Sequence, residues 1–448
     1  MEQYERKTAE FEDFARFHIQ SRSFLRQFCG IYKARLATLK PKALKRAIVK
    51  WGKCKVLQIV DLTKEEYEGV QCAIFGTLYK HQELKPSVLK TISEELQAVP
   101  QPPRLNFCSP KDSVYLEDDV SRIKLFGGLE PETLVTGLVC GVLGHVSSDG
   151  CFWVDDFCFP GLYLSPLLTT PSSSTNNYGK FILFLSGLDF VNLADCMALQ
   201  LFKEWLCGML GNETIQKEAA GIVRIIIAGN SVRGSAETFD RKGYFENKNK
   251  DKKFASEAQL AVHRLDKFLS HITQSCSVVL MPGEFDPSCH SIPQHPMHRN
   301  MFPLTSKHGH LHGATNPWIG KIGSRTVGGS SGEPIMDIMR VSDTESSPIE
   351  WLEKTLDWQH FAPTAPDTLA EYPFDDSDPL VMKDFPNIYF AGNMDRYETK
   401  LLQGTDRLTD SVGQPIRLVC IPKFSQSYSV VLVDLDSLDT KLISFGTA

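Results

Sequence analysis

At 448 residues the chain exceeds one ordinary domain and suits two or three. Its 42% hydrophobic and 23% charged residues describe a globular protein with a sizeable core, and no apolar run approaches the roughly 18 to 20 residues needed to span a bilayer. A formal net charge of -6 disfavours a protein whose main work is gripping a phosphate backbone, because that work rests on surplus Lys and Arg.

The opening stretch MEQYERKTAEFEDF is charged throughout and lacks the apolar core of a secretory signal, which points to an intracellular protein. Twelve cysteines are scattered without a C-x-x-C pair, and spacings such as Cys151 to Cys158 and Cys276 to Cys289 match no zinc ribbon or finger. Reduced, mostly buried thiols are expected.

Residues 11–60 read as helical, with one apolar stripe of Leu25, Phe28, Ile31, Tyr32, Leu36 and Leu39. In the basic segment PKALKRAIVKWGKCK, Leu44, Ile48 and Trp51 share a face, so the charges belong to a solvated helix side rather than to a nucleic-acid patch. From about Glu68 short β runs take over. VQCAIFGTLYK, DSVYLEDDVSRIKLFGG and LVTGLVCGVLGHV each read as a strand, and SSDG turns the last into CFWVDDFCF. With a helical PSVLKTISEELQAV among them, these runs fit a small OB-type Greek-key barrel. Phe152, Trp153 and Phe157 could stack bases, but Asp149, Asp155 and Asp156 beside them, with Glu117, Asp118 and Asp119 on an earlier strand, would repel phosphates. A barrel used for protein contact is the better reading.

The polar TTPSSSTNN is a connector. Domain bounds follow as 1–60 N-terminal helical segment, 61–165 OB domain, 166–178 linker and 179–448 a second domain. In that second domain the apolar runs FILFLSG, IVRIIIAGN, SVVLMPGEFD and NIYFAGN each end in a small-residue loop. The helix FASEAQLAVHRLDKFLSHI, with its Phe254, Ala258, Ala261, Leu265, Phe268 and Ile272 stripe, lies between the second and third, behind ENKNKDKK, a solvated loop. KIGSRTVGGSSG supplies a further strand. The pattern is α/β with functional loops at strand ends, and the whole chain is a multidomain α+β and α/β protein.

Those loops resemble the strand-end motifs of calcineurin-like phosphoesterases, D-x-H, G-D, G-N-H, a separate His and G-H-x-H. That chemistry needs two metal ions about 3.5 to 4 Å apart with an anionic carboxylate bridging them. Here the turns carry other residues. Gly187 stands for the first Asp and Asp189 for the His; Asn230 stands for the bridging Asp; Glu284 and Phe285 stand for Asn and His; Asn393 and Asp395 stand for the last two His. No metal, cofactor or catalytic residue is expected. The run HGHLHG, His308 to Gly313, matches G-H-x-H but comes too early in the order. It belongs to a Pro-broken segment that holds half of the twelve His, from His290 to His312, and a surface loop is expected there.

MPGEFDP, HFAPTAPDTLAEYPF, LVTG, PQPP and SRSFLRQFCGIYKARL, in order from about residue 20 onward, resemble the B-subunit family of replicative DNA polymerases, in its DNA polymerase delta branch. The resemblance implies an OB-type β-barrel packed on an inactive calcineurin-like phosphoesterase domain; archaeal relatives keep the ligands and act as nucleases. It also implies a nuclear scaffold in DNA replication and repair. Its partners would be the Cys-rich C-terminal domain of the polymerase delta catalytic subunit and a further accessory subunit, with sharing by DNA polymerase zeta. DNA would be met only through the complex, and no membrane. His360 falls where the family's isolated His lies, and without a carboxylate it reads as structural; Asp367 sits in a Pro-stiffened turn. The competing reading is an active metal-dependent phosphodiesterase or 3′–5′ nuclease using Asp189, Glu284, Asp286, Asp395 and the His-rich loop, for which Asn230 is the wrong residue.

Overall fold

The computed structural model describes residues 4–19, 23, 25–85, 106–162, 179–193, 196–235, 248–343, 345–403 and 413–446. The helix expected at 86–99 and the linker at 166–178 lie outside the described residues. In chain order the elements are β1 (Phe11–Asp13), α1 (Cys29–Trp51), β2 (Cys72–His81), β3 (Ser113–Glu117), β4 (Arg122–Gly127), β5 (Val139–Val146) and β6 (Phe152–Cys158). Then follow β7 (Phe181–Leu185), α2 (Met197–Leu206), α3 (Glu213–Ala220), β8 (Ile222–Ala228), α4 (Lys248–Ile272), β9 (Val278–Met281), β10 (Leu311–Gly313), β11 (Trp318–Ile322) and β12 (Arg325–Ser330). The last are α5 (Glu333–Val341), α6 (Pro348–Trp358), β13 (Ile388–Met394), β14 (Glu398–Leu402), β15 (Ile416–Pro422), α7 (Phe424–Ser427), β16 (Ser429–Asp434) and β17 (Thr440–Ser444).

Period-two alternation builds the barrel. Val114 and Leu116 of β3 and Ile123 and Leu125 of β4 point inward, while Tyr115, Arg122 and Lys124 point out. The strands close in the order β2-β3-β4-β6-β5, with β4 parallel to β6. DSVYLEDDVSRIKLFGG is not one strand but the β3–β4 hairpin: the Asp118 carboxylate accepts the Val120 and Ser121 amides (2.9 and 2.7 Å), locking a tight turn. The SSDG turn joins β5 to β6 as the sequence indicates, with Gly150 at φ +73°.

Downstream, two six-stranded sheets face each other, in the orders β1-β11-β12-β13-β15-β14 and β10-β9-β8-β7-β16-β17. Phe184, Ile226 and Val279 of one meet Trp318, Val327 and Phe390 of the other in a central apolar layer. Helices α2 and α4 cover the outer face of the second sheet, burying Phe202, Leu265 and Phe268. Helices α5 and α6 cover the first sheet, and their core of Trp351, Leu356, Tyr389 and Leu418 runs without a break into the barrel interior. KIGSRTVGGSSG forms the β11–β12 hairpin around Gly323 rather than one strand. The ENKNKDKK loop also differs, since α4 already begins at Lys248.

The helical reading of 11–60 holds only for Cys29–Trp51. Residues 11–13 are instead a strand on the edge of the first sheet, Phe11 opposite Ile322 and Asp13 opposite Gly320. Three residues are too few to form a helix turn with a buried face, but they can complete a ladder. Leu25 and Phe28 precede the helix and are exposed; the buried stripe is Ile31, Arg35, Leu36, Leu39, Ala43 and Ala47. Leu44 and Trp51 are half-buried against Ala73 and Phe75 while Ile48 faces solvent, so small alanines rather than that trio seat the helix.

The charge on that stripe, Arg35, is fully buried and joins all three parts of the chain. Its Nε meets Asp378 Oδ2 at 2.7 Å, and its other nitrogens donate to the carbonyls of Gly137 (3.3 Å), Pro363 (3.0 Å) and Ala365 (2.8 Å). Glu371 lies 3.8 Å away. Gly137 sits at φ +93° with Pro363 O pressed where a Cβ would go, so the barrel loop touches the 363 loop only because it is glycine. Asp378 also accepts from His360 Nε2 (2.9 Å) and the Leu380 amide (2.9 Å). Because His360 Nδ1 accepts the Ala362 amide (3.1 Å), the ring is the neutral tautomer with its proton on Nε2. The absence of a carboxylate near His360 expected from sequence is therefore wrong: Asp378, eighteen positions on, supplies one.

Burial, with the Arg35 charge beside it, pushes His360 down to about 4. Burial works to raise Asp378, but Arg35 and His360 outweigh it and hold the carboxyl below its usual range. Burial and the neighbouring Asp378 charge push Glu371 well up. Arg35→Ala should lower stability by about 3 to 5 kcal/mol in urea unfolding, the cost of a stranded buried carboxylate, and Arg35→Lys should restore little because one ammonium cannot span four acceptors. For His360 the folded value lies below the free value of about 6.5, so the unfolded chain binds the extra proton between those limits. Stability should fall as pH drops from about 6.5 to 4, and His360→Gln should flatten the urea midpoint in that window.

Candidate functional site

Strands β7, β8 and β9 are parallel neighbours, so their C-terminal loops share one edge. The β13 loop reaches this edge from the facing sheet through a register break between Ala391 and Met394. Asn393 Nδ2 donates to Ala228 O (3.0 Å) and Ser331 O (2.8 Å), and its amide donates to Ser186 Oγ (2.9 Å). The Phe424 and Ser425 amides donate to Ser186 O and Gly187 O, bringing in the β15–α7 turn. Asp189, Asn230 and Asn393 have φ of +48°, +53° and +55°. Left-handed backbone is uncommon outside glycine, tolerated best by Asn and Asp, and collects at functional sites. Three such residues ring this edge.

Gly187 (φ +60°) would place a Cβ 2.8 Å from Asn393 Oδ1 and 3.1 Å from Lys423 Cα, leaving no room for a carboxylate. Asn230 is buried; its Oδ1 accepts the Phe285 amide (3.3 Å), its carbonyl accepts the Asp189 amide (3.1 Å), and Gly283 lies directly on it. Asp189 Oδ2 accepts Asn192 Nδ2 (2.8 Å), while buried Oδ1 has no partner. Gly187, Asp189, Asn230 and Asn393 therefore do come together.

The remaining predicted positions point elsewhere. Asp286 takes three backbone amides, Val232 (2.7 Å) on Oδ1 and Ser231 (3.1 Å) and Gly283 (3.0 Å) on Oδ2, and so straps the β8 loop to the β9 loop. Burial raises its carboxyl to about 6 against those hydrogen bonds. Glu284 faces α5, where Glu333 and Asp337 are also buried. Burial raises all three, Glu333 to about 8, with Arg340 as the nearby cation. Phe285 is half-buried and lines an apolar cleft of about 730 Å³ with Val232, Val262 and Met301. Asp395 is exposed and paired with Lys423 Nζ at 2.9 Å. Among the described residues no three His, Cys, Asp or Glu side chains group closely enough to hold a metal ion.

The segment HGHLHG is not a plain surface loop. Leu311–Gly313 is β10, parallel to β9 on the sheet edge, because Leu311 reaches the apolar core beside α4. Its histidines have separate partners: His308 with Ser270 Oγ (3.3 Å), His310 with Ser277 Oγ (3.3 Å) and His312 with Asp13 Oδ2 (2.7 Å).

On the barrel, Phe152 is buried and Phe157 packs edge-on to Phe159, so of the three aromatics named from sequence only Trp153 faces out. It stacks on Phe126 (5.9 Å), above which Lys124 Nζ sits at 4.8 Å. Asp156 is taken up by Lys50 and Trp51 (2.7 Å each) and Asp155 by Gln71 (2.9 Å). The alternation in RIKLFG already places Arg122, Lys124 and Phe126 on one face, a signal that inspection of CFWVDDFCF alone misses.

Two substitutions test the strapping. Gly187→Asp should destabilise the chain by about 1 to 3 kcal/mol through backbone strain at positive φ, and Asp286→Asn by about 1 to 3 kcal/mol because an amide cannot accept on both sides. Urea midpoints unchanged from wild type would contradict this reading.

The sequence profile of the DNA polymerase delta small-chain OB-fold domain matches residues 27–157, and that of the B-subunit family of DNA polymerases alpha and epsilon matches residues 182–400. The chain is 38% identical over 436 residues to the DNA polymerase delta subunit 2 of Drosophila melanogaster, covering 96% of each protein. It is 36% identical to the DNA polymerase delta small subunit of rice, covering 99% of each, and 36% identical to that of Arabidopsis thaliana, covering 99% of this chain and 97% of the relative. Full-length likeness at this level, with an OB barrel at the matching residues, means that the chain belongs to the DNA polymerase delta small-subunit family.

Proposed function

We propose that the chain is a non-catalytic scaffold of DNA polymerase delta, an OB domain joined to a phosphoesterase-like domain that has lost its metal site. The observation that carries this is position 230. A dinuclear site requires an anion between its two cations, and Asn230 is neutral, buried and already engaged with the Phe285 amide. At the neighbouring positions, Gly187 lacks room for a ligand and Phe285 has none to offer. What remains is a rigid edge of strapped loops, suited to holding other proteins.

The partners on this reading are the Cys-rich C-terminal domain of the catalytic subunit and a further accessory subunit, with the same chain shared by DNA polymerase zeta, in the nucleus, during replication and repair. The barrel domain spans about 61–165 and the phosphoesterase-like domain 179–448, and the unbroken core between barrel and first sheet lets both present one surface. DNA is reached through the assembled polymerase.

Co-expression with the catalytic subunit's Cys-rich domain should give one peak on size-exclusion chromatography containing both chains; separate elution would overturn the scaffold assignment. Wild type and Asn230→Asp should both fail to hydrolyse single-stranded DNA or a chromogenic phosphodiester with Mn²⁺. Hydrolysis by wild type that disappears in Asp189→Ala would instead establish a nuclease.

A further inference from the structure

Helices α2 and α4 enclose a groove of about 550 Å³ on the outer face of the second sheet. Its floor is apolar: Phe190 and Phe268 are both buried, with ring centroids 5.6 Å apart. At the rim stands Met197, 71% exposed, an unbranched side chain able to adapt to whatever packs on it.

Around this floor stand four basic side chains, Lys203 from α2 and Arg264, Lys267 and His271 from α4. The spacing 264, 267, 271 places the last three on one helical stripe. Arg264 reaches only the Phe190 carbonyl, at 3.5 Å, and His271 lies 3.8 Å from Cys207 Sγ. None of the four pairs with a carboxylate among the described residues, and the described lining contains no Asp or Glu. Glu204, one turn beyond Gln200, is held by Gln200 Nε2 at 2.8 Å. Elsewhere in this acidic chain exposed Lys and Arg commonly have partners, as Lys217 has Glu213, Lys400 has Glu353 and Lys441 has Glu218.

We propose that this groove docks an acidic amphipathic segment of a protein partner, its apolar side chains on the Phe190–Phe268 floor and its carboxylates toward Lys203, Arg264, Lys267 and His271. The mode is that of a helix laid in a groove; α2, at ten residues, is about 15 Å long and offers two to three turns of contact. A nucleic acid fits less well, because base stacking needs exposed ring faces and these rings are buried. The barrel packs against the first sheet, on the opposite side of the sandwich, so occupation of this groove leaves the barrel surface free.

Random displayed peptides selected against the full chain, with the Lys203→Glu/Lys267→Glu variant used for subtraction, test the assignment. Enriched peptides should carry a surplus of Asp and Glu among Leu, Phe, Met or Trp at three- and four-residue spacing. Their affinity should fall roughly tenfold in the charge-reversed variant and on raising salt, and severalfold in Met197→Ala, a surface change that tests the groove even if the charge reversal disturbs folding. Peptides without an acidic surplus, or with equal affinity for both variants, would overturn the proposal. So would fluorescent oligo-dT binding that depends on the two lysines while no peptide does.

Discussion

The arrangement of the molecule depends on one buried guanidinium. Arg35 leaves α1 and spends its donors on a barrel carbonyl, two carbonyls of the 363–365 loop and Asp378, so three parts of the chain are specified by one planar group. A charge so deep is tolerable only when every donor is matched, because desolvation costs several kcal/mol per ion. Asp378 stays ionised and His360 stays neutral as parts of the same compromise. Apolar packing alone would let barrel and sandwich slide on their shared core; the fixed fork geometry admits one register.

The strand-end loops show how a fold can keep its turns while their chemistry changes. Left-handed positions after β7, β8 and β13 are filled by Asp or Asn, residues that suffer least there. Their side chains are turned into cross-braces: Asn393 ties β8 to the β12 loop and Asn230 receives the β9 loop. On the proposed reading, polarity once directed at a ligand is now directed at the protein itself. Asp286 completes this, holding two loops through backbone amides alone.

Period-two and helical patterning make the barrel strands, the four strand-end loops and α4 legible in the sequence, because each depends on near neighbours in the chain. What stays hidden there is nonlocal. The pairing of Phe11–Asp13 with β11 joins residues some 300 positions apart, and nothing in FED announces a strand. Asp378 as the partner of His360, and Arg35 as the partner of Asp378, are likewise products of tertiary closure. Phe152 and Trp153 look alike in sequence, yet the pleat sends one into the core and the other into solvent. Position-by-position comparison of the loops indicates which side chains converge, but not that Glu284, Phe285 and Asp395 turn away.

The three residues of β1 shield an otherwise open flank. With β1 in place, the amides and carbonyls of β11 find partners in Phe11 and Asp13, and His312 of the other sheet is clipped to Asp13. Remove that short ribbon and β11 becomes a bare template for another chain's backbone, the geometry from which aggregates grow. Trimming the amino-terminal arm would thus threaten colloidal behaviour long before it disturbed the interior, even though the arm adds little to the core.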